Sequence, residues 1–515
     1  MNTADEFLAT GSKFHLGALE TEKVHPSTRD LSDLALNNLP QAISTLAAVD
    51  FVALEKMKAK VPEILRLRSA IAEVLKAGHR IFLCGCGATG RLSLALEYLW
   101  REANPKSPDS VVAFMAGGDI ALVHSLEGFE DYPEYGARHL QDLGFRDGDL
   151  LISCTEGGET PYVIGATEAA SNISAQKPFF LYCNPDTVLR ENVDRSRQVI
   201  DNPKIEKINL TVGPMALAGS TRMQASTVLQ LVVGVALLSK ASPEQILRFL
   251  SELQNYMRSE AQEFLPGFIE REAREYQAGG YVIYWVKDYP ITVFTDTTER
   301  APTFSLTPFS HRSAERLLKL KPSLCYIGLP EAKDAKSAWQ KLLLRPPRPL
   351  NWVEVDDRTS SDYLMAFDFS QKAREFRSWL TKEAQHSDFE ISRRDDRLLW
   401  SFQDYERALG LPSADEISPD LRPLFEHLLL KMLLNIHSTL IMGRMGRYKR
   451  NLMTWVYPTN GKLIDRATRY ARTLLKEDGL EISYEDVVRK LFELKGRVTA
   501  NESIVLATYG SFKGS

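Results

Sequence analysis

IFLCGCGATGRL, residues 81–92, runs from an apolar stretch through a glycine-rich bend into a helix-like pattern. Gly85, Gly87 and Gly90 match the spacing G-x-G-x-x-G. A strand that ends in glycine and feeds a helix presents free N–H groups and the positive end of a macrodipole, so it suits a phosphate of any origin. A dinucleotide site needs more: an acid at the end of the second strand, about twenty residues on, for the ribose hydroxyls. Here the second strand, VVAFM, arrives only after REANPKSPDS, and the next acid is Asp119. Glu97 lies nearer but falls inside the helix. The context is wrong for NAD, and no cofactor and no metal are expected.

Two further loops share this chemistry. DLLISC (149–154) ends in TEGGETPYVIG, which sets Thr155, Gly157, Gly158 and Thr160 at a helix N-terminus. INLTVG (208–213) leads into GPMALAGSTRMQAS (213–226), where Ser220, Thr221 and Arg222 open a helix predicted over about Ser220–Leu238. Capping threonines in tight βα turns explain either of the first two loops alone. They explain the set less well. Loops from one parallel sheet lie together at its carboxyl edge, where ligands bind. A small monophosphate gripped from several sides would use them all.

The alternation of strand-like and helix-like segments continues along the chain and predicts parallel sheets covered on both faces. At 515 residues the chain is too long for one core. The divisions are an N-terminal segment 1–50, a first α/β domain 51–250, a second 251–455 and a helical C-terminal cap 456–515. VALEKMKAKVPEILRLRSAIAEVLKA (52–77) reads as helix, as does roughly 243–276. In the second domain YVIYWV, ITVFTD, SLCYIGL, WVEVD and YLMAFDF read as strands, with a helix around Lys336–Leu344. YWVKDYPITVF has no glycine loop after its strand, so the phosphate site is expected in the first domain only. Ser483 is an expected N-cap.

Composition narrows the class of function. A net charge of −4, from 63 basic and 67 acidic residues, gives no sign of a nucleic-acid or membrane-surface partner. Cys84, Cys86, Cys154, Cys183 and Cys325 have no zinc-ligand spacing and read as buried free thiols in a reducing compartment. The N-terminus lacks a basic and an apolar leader region. A cytoplasmic location is expected.

GCGATGRL, AGGDIALVHSLEGFED, TPYVIG, LYCN and GPMALAGSTRMQAST, in order over roughly residues 20–240, resemble the sugar isomerase (SIS) domain family. The resemblance is specifically to N-acetylmuramic acid 6-phosphate etherases and the glucokinase regulatory protein. TDTTERAPTFS (295–305) looks like the etherase stretch with a catalytic glutamate, and LLNIHSTLIMGRMGRYKRNLM (433–453) like a late helix of these families. The resemblance implies an α/β fold of two SIS-type doubly wound parallel-sheet domains, three-layer α/β/α, with a small helical C-terminal region. It implies a phosphate held by Gly87, Ala88, Thr89 and Gly90, by the loop with Thr155, Gly157 and Thr160, and by Ser220 and Thr221. It implies sugar-facing carboxylates at Glu130 and Glu299, with Arg447 where the family has a lysine.

Helical spacing puts Glu127 on the same face as Glu130, where it reads as a surface acid. Departures from the etherase pattern are Gly157 and Glu159 for a serine and an arginine, Gln224 for a lysine, and Leu99 for a glutamate. The function implied is binding of a sugar phosphate, of amino-sugar or hexose type, with lyase, etherase or isomerase chemistry by two carboxylates. The alternative is a regulator that senses the phosphosugar and acts on a protein partner. The assembly expected is a monomer with pseudo-dimeric halves, or a homodimer.

Overall fold

The computed structural model describes residues 3–11, 16–124, 126, 128–309, 323–355, 357–373, 385–499 and 502–513. Its strands form two five-stranded sheets. The first has the order β2-β1-β3-β4-β5, with β1 Ile81–Gly85, β2 Val111–Met115, β3 Leu150–Cys154, β4 Phe179–Tyr182 and β5 Glu206–Asn209. Every pairing is parallel. All residues of β1 to β4 are buried, as a sheet covered on both faces requires. The chain leaves β1 for β2 on one side and returns to β3 on the other. The loops after β1 and β3 therefore flank a topological switch point, where open α/β sheets bind ligands.

The second sheet departs from the doubly wound expectation. Its order is β10-β9-β8-β6-β7, with β6 Tyr281–Val286, β7 Cys325–Gly328, β8 His386–Arg394, β9 Arg397–Phe402 and β10 Tyr405–Gly410. β7, β6 and β8 are parallel, but β9 and β10 run antiparallel. Asp395 and Gln403, both at positive φ, open the two hairpin turns. So short a loop can join only antiparallel strands.

ITVFTD is not a strand. It lies in the helix Pro290–Phe304, where Thr297 and Thr298 donate to the carbonyls of Val293 and Phe294 at 2.9 and 2.8 Å. Burial on nearly all sides overrides the β-propensity of this stretch. The described part of WVEVD, Trp352 to Val355, is not a strand either: Trp352 packs on the first half instead, its Nε1–H donating to Asp142 at 2.7 Å. YLMAFDF holds a short helix, Ser361–Met365. The 52–77 stretch divides into helices ending at Lys58 and starting at Val61, with a proline in the second helix's first turn. The helix Leu39–Lys58 runs through position 50. Residues 243–276 form three helices, the last opening at Pro266. Ser483 caps Tyr484–Lys495, accepting from the Asp486 amide.

Two buried charge networks join the halves. Arg345 reaches Asp119 through two nitrogens at 2.5 and 3.1 Å and Glu97 at 3.0 Å; Arg348 meets Glu97 at 2.9 Å. The acids considered above for a ribose thus hold the second half to the first. In the other network Arg222 binds Asp296 at 3.0 Å, and Arg300 binds Asp296 and Glu272. At the chain's start, Glu22 pairs with Arg466 and Arg469 of the helix Gly461–Glu477. The adjacent Thr21 amide donates to Asn184, whose side chain also donates to the Gly157 carbonyl.

Candidate functional site

The loops after β1 and β3 and the 219–222 loop open into one cavity of about 1030 Å³. Its far wall comes from the helix Pro290–Phe304, the segment 453–459 and the C-terminal helices. Gly87, Ala88, Glu130, Thr160, Ser220, Thr221, Glu299 and Arg447 all line it. Thr89, Gly90, Thr155 and Gly157 do not, and each has a local reason.

Thr89 is 1% exposed, and its hydroxyl is spent inside the loop. It accepts from the Cys86 amide at 2.9 Å and donates to the Cys86 carbonyl at 2.8 Å. It shapes the turn rather than meeting a ligand. Gly90 gives room for helix packing, since a Cβ there would lie 2.4 Å from Met115 Cβ. At Gly85 a Cβ would lie 2.2 Å from the Thr89 backbone, so the tight turn needs glycine. Thr155 is fully buried, its hydroxyl 3.1 Å from that of Thr160. Gly157 is tethered through its carbonyl to Asn184 at 2.9 Å. Thr89→Val is accordingly expected to lower thermal stability by about 1–3 kcal/mol, because it strands the Cys86 amide. A thermal melt unchanged by this substitution, with weakened phosphosugar affinity, would show the hydroxyl on the ligand instead.

The third loop differs from expectation in where its helix begins. The helix is Gln224–Leu238, and Ser220, Thr221 and Arg222 sit in the turn before it. Gln224 clamps this turn, accepting from the Ala216 amide at 3.0 Å and donating to the Pro214 carbonyl at 3.1 Å. Ser220 is 3% exposed, and its hydroxyl has no hydrogen-bond partner among the described residues. Facing the cavity, it is a free donor for a ligand oxygen. Arg447 lies with its guanidinium 4.0 Å from the Trp455 ring at the same wall.

Glu130 and Glu299 come from opposite halves and both line this cavity. Glu299 does not sit in a turn; it lies within its helix, while the next residue, Arg300, is occupied by Asp296 and Glu272. Burial raises the Glu299 carboxyl above its ordinary range, against the pull of Arg91, Arg222 and Lys431. Glu130 has the Lys462 ammonium 3.8 Å away and the Cys86 thiol at 3.7 Å. Glu127 lies outside the described residues.

Two lining residues escaped the sequence reading. Lys462 comes from the C-terminal cap, 3.3 Å from Glu159 and within reach of Glu130. Burial opposes its charge, but Glu130 and Glu159 outweigh burial and hold its ammonium above the usual range. A signal did exist: Lys462 occupies the first turn of its helix, the end where a dipole disfavours a cation. Glu156 is the other, a buried acid in the loop after β3. Among the described residues, no group of three or more His, Cys, Asp or Glu could hold a metal ion, and no helix is long and apolar enough to cross a membrane.

Switch-point loops, a carboxylate from each half and a closing helical cap define an SIS-type protein. Residues 63–171 match the family model of the glucokinase regulatory protein N-terminal SIS domain. The N-acetylmuramic acid 6-phosphate etherase of Aliivibrio fischeri strain MJ11 is 33% identical over 225 residues, 43% of this chain and 69% of that protein. The etherase of Salmonella typhi is 31% identical over 243 residues, 47% of this chain and 75% of that one. A glucosamine-6-phosphate deaminase structure from Thermotoga maritima covers 77% of this chain and 96% of its own, at 11% identity and a TM-score of 0.36. The chain belongs to the SIS-domain family of the N-acetylmuramic acid 6-phosphate etherases.

Proposed function

We infer that the chain binds a phosphorylated amino sugar or hexose and acts on it as a cofactor-independent lyase of etherase type. The observation that carries this is that Glu130 and Glu299 line one cavity together with three loops of donors. Gly87, Ala88, Thr160, Ser220 and Thr221 take the phosphate, with Lys462 and Arg447 supplying positive charge. Thr89, Gly90, Thr155 and Gly157 hold these loops in shape from behind.

Chemically, cleaving an ether next to an activated carbon needs a base for the proton beside the carbonyl and an acid for the leaving oxygen. Glu299, whose carboxyl burial raises above its ordinary range, is the acid. Glu130, beside the Lys462 ammonium, is the base. A buried carboxyl suits the acid's role and a carboxylate beside a cation suits the base's. The unpaired cysteines fit a reducing compartment, the cytoplasm.

The test is incubation with N-acetylmuramic acid 6-phosphate in deuterated water, followed by proton NMR. Release of the lactyl acid and deuterium at the carbon beside the carbonyl are expected. Conversion of hexose 6-phosphates instead, with the same exchange, would assign isomerase chemistry. Tight binding with neither turnover nor exchange would remove the enzyme and leave a regulator.

A further inference from the structure

The loop after β3 puts an acid where a phosphate site calls for donors. Glu156 is 7% exposed and lines the cavity, and its Oε1 is buried with no hydrogen-bond partner among the described residues. Its backbone is pinned. The Thr155 amide donates to Leu181 at 3.0 Å, and the Cys183 amide donates to the Glu156 carbonyl at 3.0 Å. The side chain is therefore presented to the ligand space on a fixed strut. An ionised carboxylate there would face an anionic phosphate bound at the same loop, with both charges short of water. A carboxylic acid would be a hydrogen-bond donor.

We propose that Glu156 enters the ligand complex as a neutral carboxylic acid and donates its proton to an anionic oxygen of the bound phosphosugar. Binding then takes up a proton at alkaline pH. The proposal rests on the phosphosugar reading above.

The charged surroundings agree. Burial first, and Glu299 on the facing helix after it, push the Glu156 carboxyl up to about 8. Its own backbone amide, Lys462 and Lys431 pull the other way. The nearby thiols of Cys86, Cys154 and Cys183 are themselves pushed up by burial and stay neutral. A phosphate dianion beside Glu156 would hold its proton to still higher pH. The free protein thus loses this proton as pH rises through about 8, whereas the complex keeps it. Above that pH, affinity falls by about tenfold per unit and uptake approaches roughly one proton.

Isothermal titration with N-acetylglucosamine 6-phosphate, which has no ether to cleave, tests this. Titrations at pH 8.5 in two buffers of different ionisation enthalpy count the protons taken up. Uptake is expected in the native protein and not in Glu156→Gln. Equal uptake in both proteins would overturn the role of Glu156. So would a native dissociation constant that is flat between pH 7 and 9, a result that needs no variant. No binding by either protein would instead sink the phosphosugar reading, and this proposal with it.

Discussion

Glu299→Gln lowers turnover of N-acetylmuramic acid 6-phosphate by about 10²–10⁴-fold and leaves its binding within a few-fold. The amide keeps the size and the hydrogen-bonding surface of the carboxyl but carries no transferable proton. In the proposed function the phosphate is held mainly by loops of the opposite half, among them 87–88 and 219–222, which line the same cavity. Lost turnover with preserved binding is therefore the mark of an acid rather than a scaffold residue. The pH profile adds a second check. The acid must be protonated to act, and burial raises its carboxyl above the ordinary range, so native activity persists past the usual carboxylate titration and declines as pH rises through the raised value. Turnover within tenfold of native in the glutamine variant would remove Glu299 from the chemistry.

Arg345→Met destabilises the chain by about 3–5 kcal/mol, because buried Asp119 loses its side-chain cation and buried Glu97 loses one of its guanidinium partners. Glu97 is 1% exposed and Asp119 is 3% exposed, so water cannot replace the guanidinium. Arg348 remains, but its contact to Asp119 is a single backbone N–H. Burial disfavours the Asp119 charge, yet Arg345 and Arg348 outweigh burial and hold its carboxyl below the usual range. A depressed carboxyl contributes stability at neutral pH that is lost as pH falls through the folded value. The difference between native and variant proteins should therefore shrink on acidification. Denaturant titrations at pH 7 and pH 3.5 measure both effects. A variant as stable as the native chain at pH 7 would mean that the cross-half network contributes nothing.

The glycine loops were legible because their chemistry is local: a strand, a turn that excludes Cβ, and a helix follow one another within a dozen residues. β1 to β4 were legible for the same reason, as short apolar runs bounded by turns. ITVFTD misled because a short run with five β-branched or aromatic residues out of six looks alike in a strand and in a helix buried on nearly all sides. The hairpins β8–β10 fell in a polar stretch, RRDDRLLWSFQDYE, whose turns carry no glycine. In the site, Glu130 and Glu299 were reached through resemblance to a family. Lys462 and Glu156 were not, because their meaning depends on partners hundreds of residues away or on the cavity itself. Thr89 shows the opposite error. A hydroxyl beside a phosphate loop invites a ligand contact, and only coordinates reveal that the loop has already claimed it.

The strap from Glu22 to Arg466 and Arg469, with Lys462 one turn earlier on that helix, gives synthesis an order. A growing chain exposes the donor loops and Glu130 once its first half has left the ribosome, and Glu299 somewhat later. The cation that faces Glu130 follows only when residue 462 emerges, and the helix that carries it docks on a segment made near the very start. Every fragment that stops short of residue 462 leaves Glu130 without that cation. Lys462 is thus set opposite Glu130 in one late step, when its helix and the segment around Glu22 find each other.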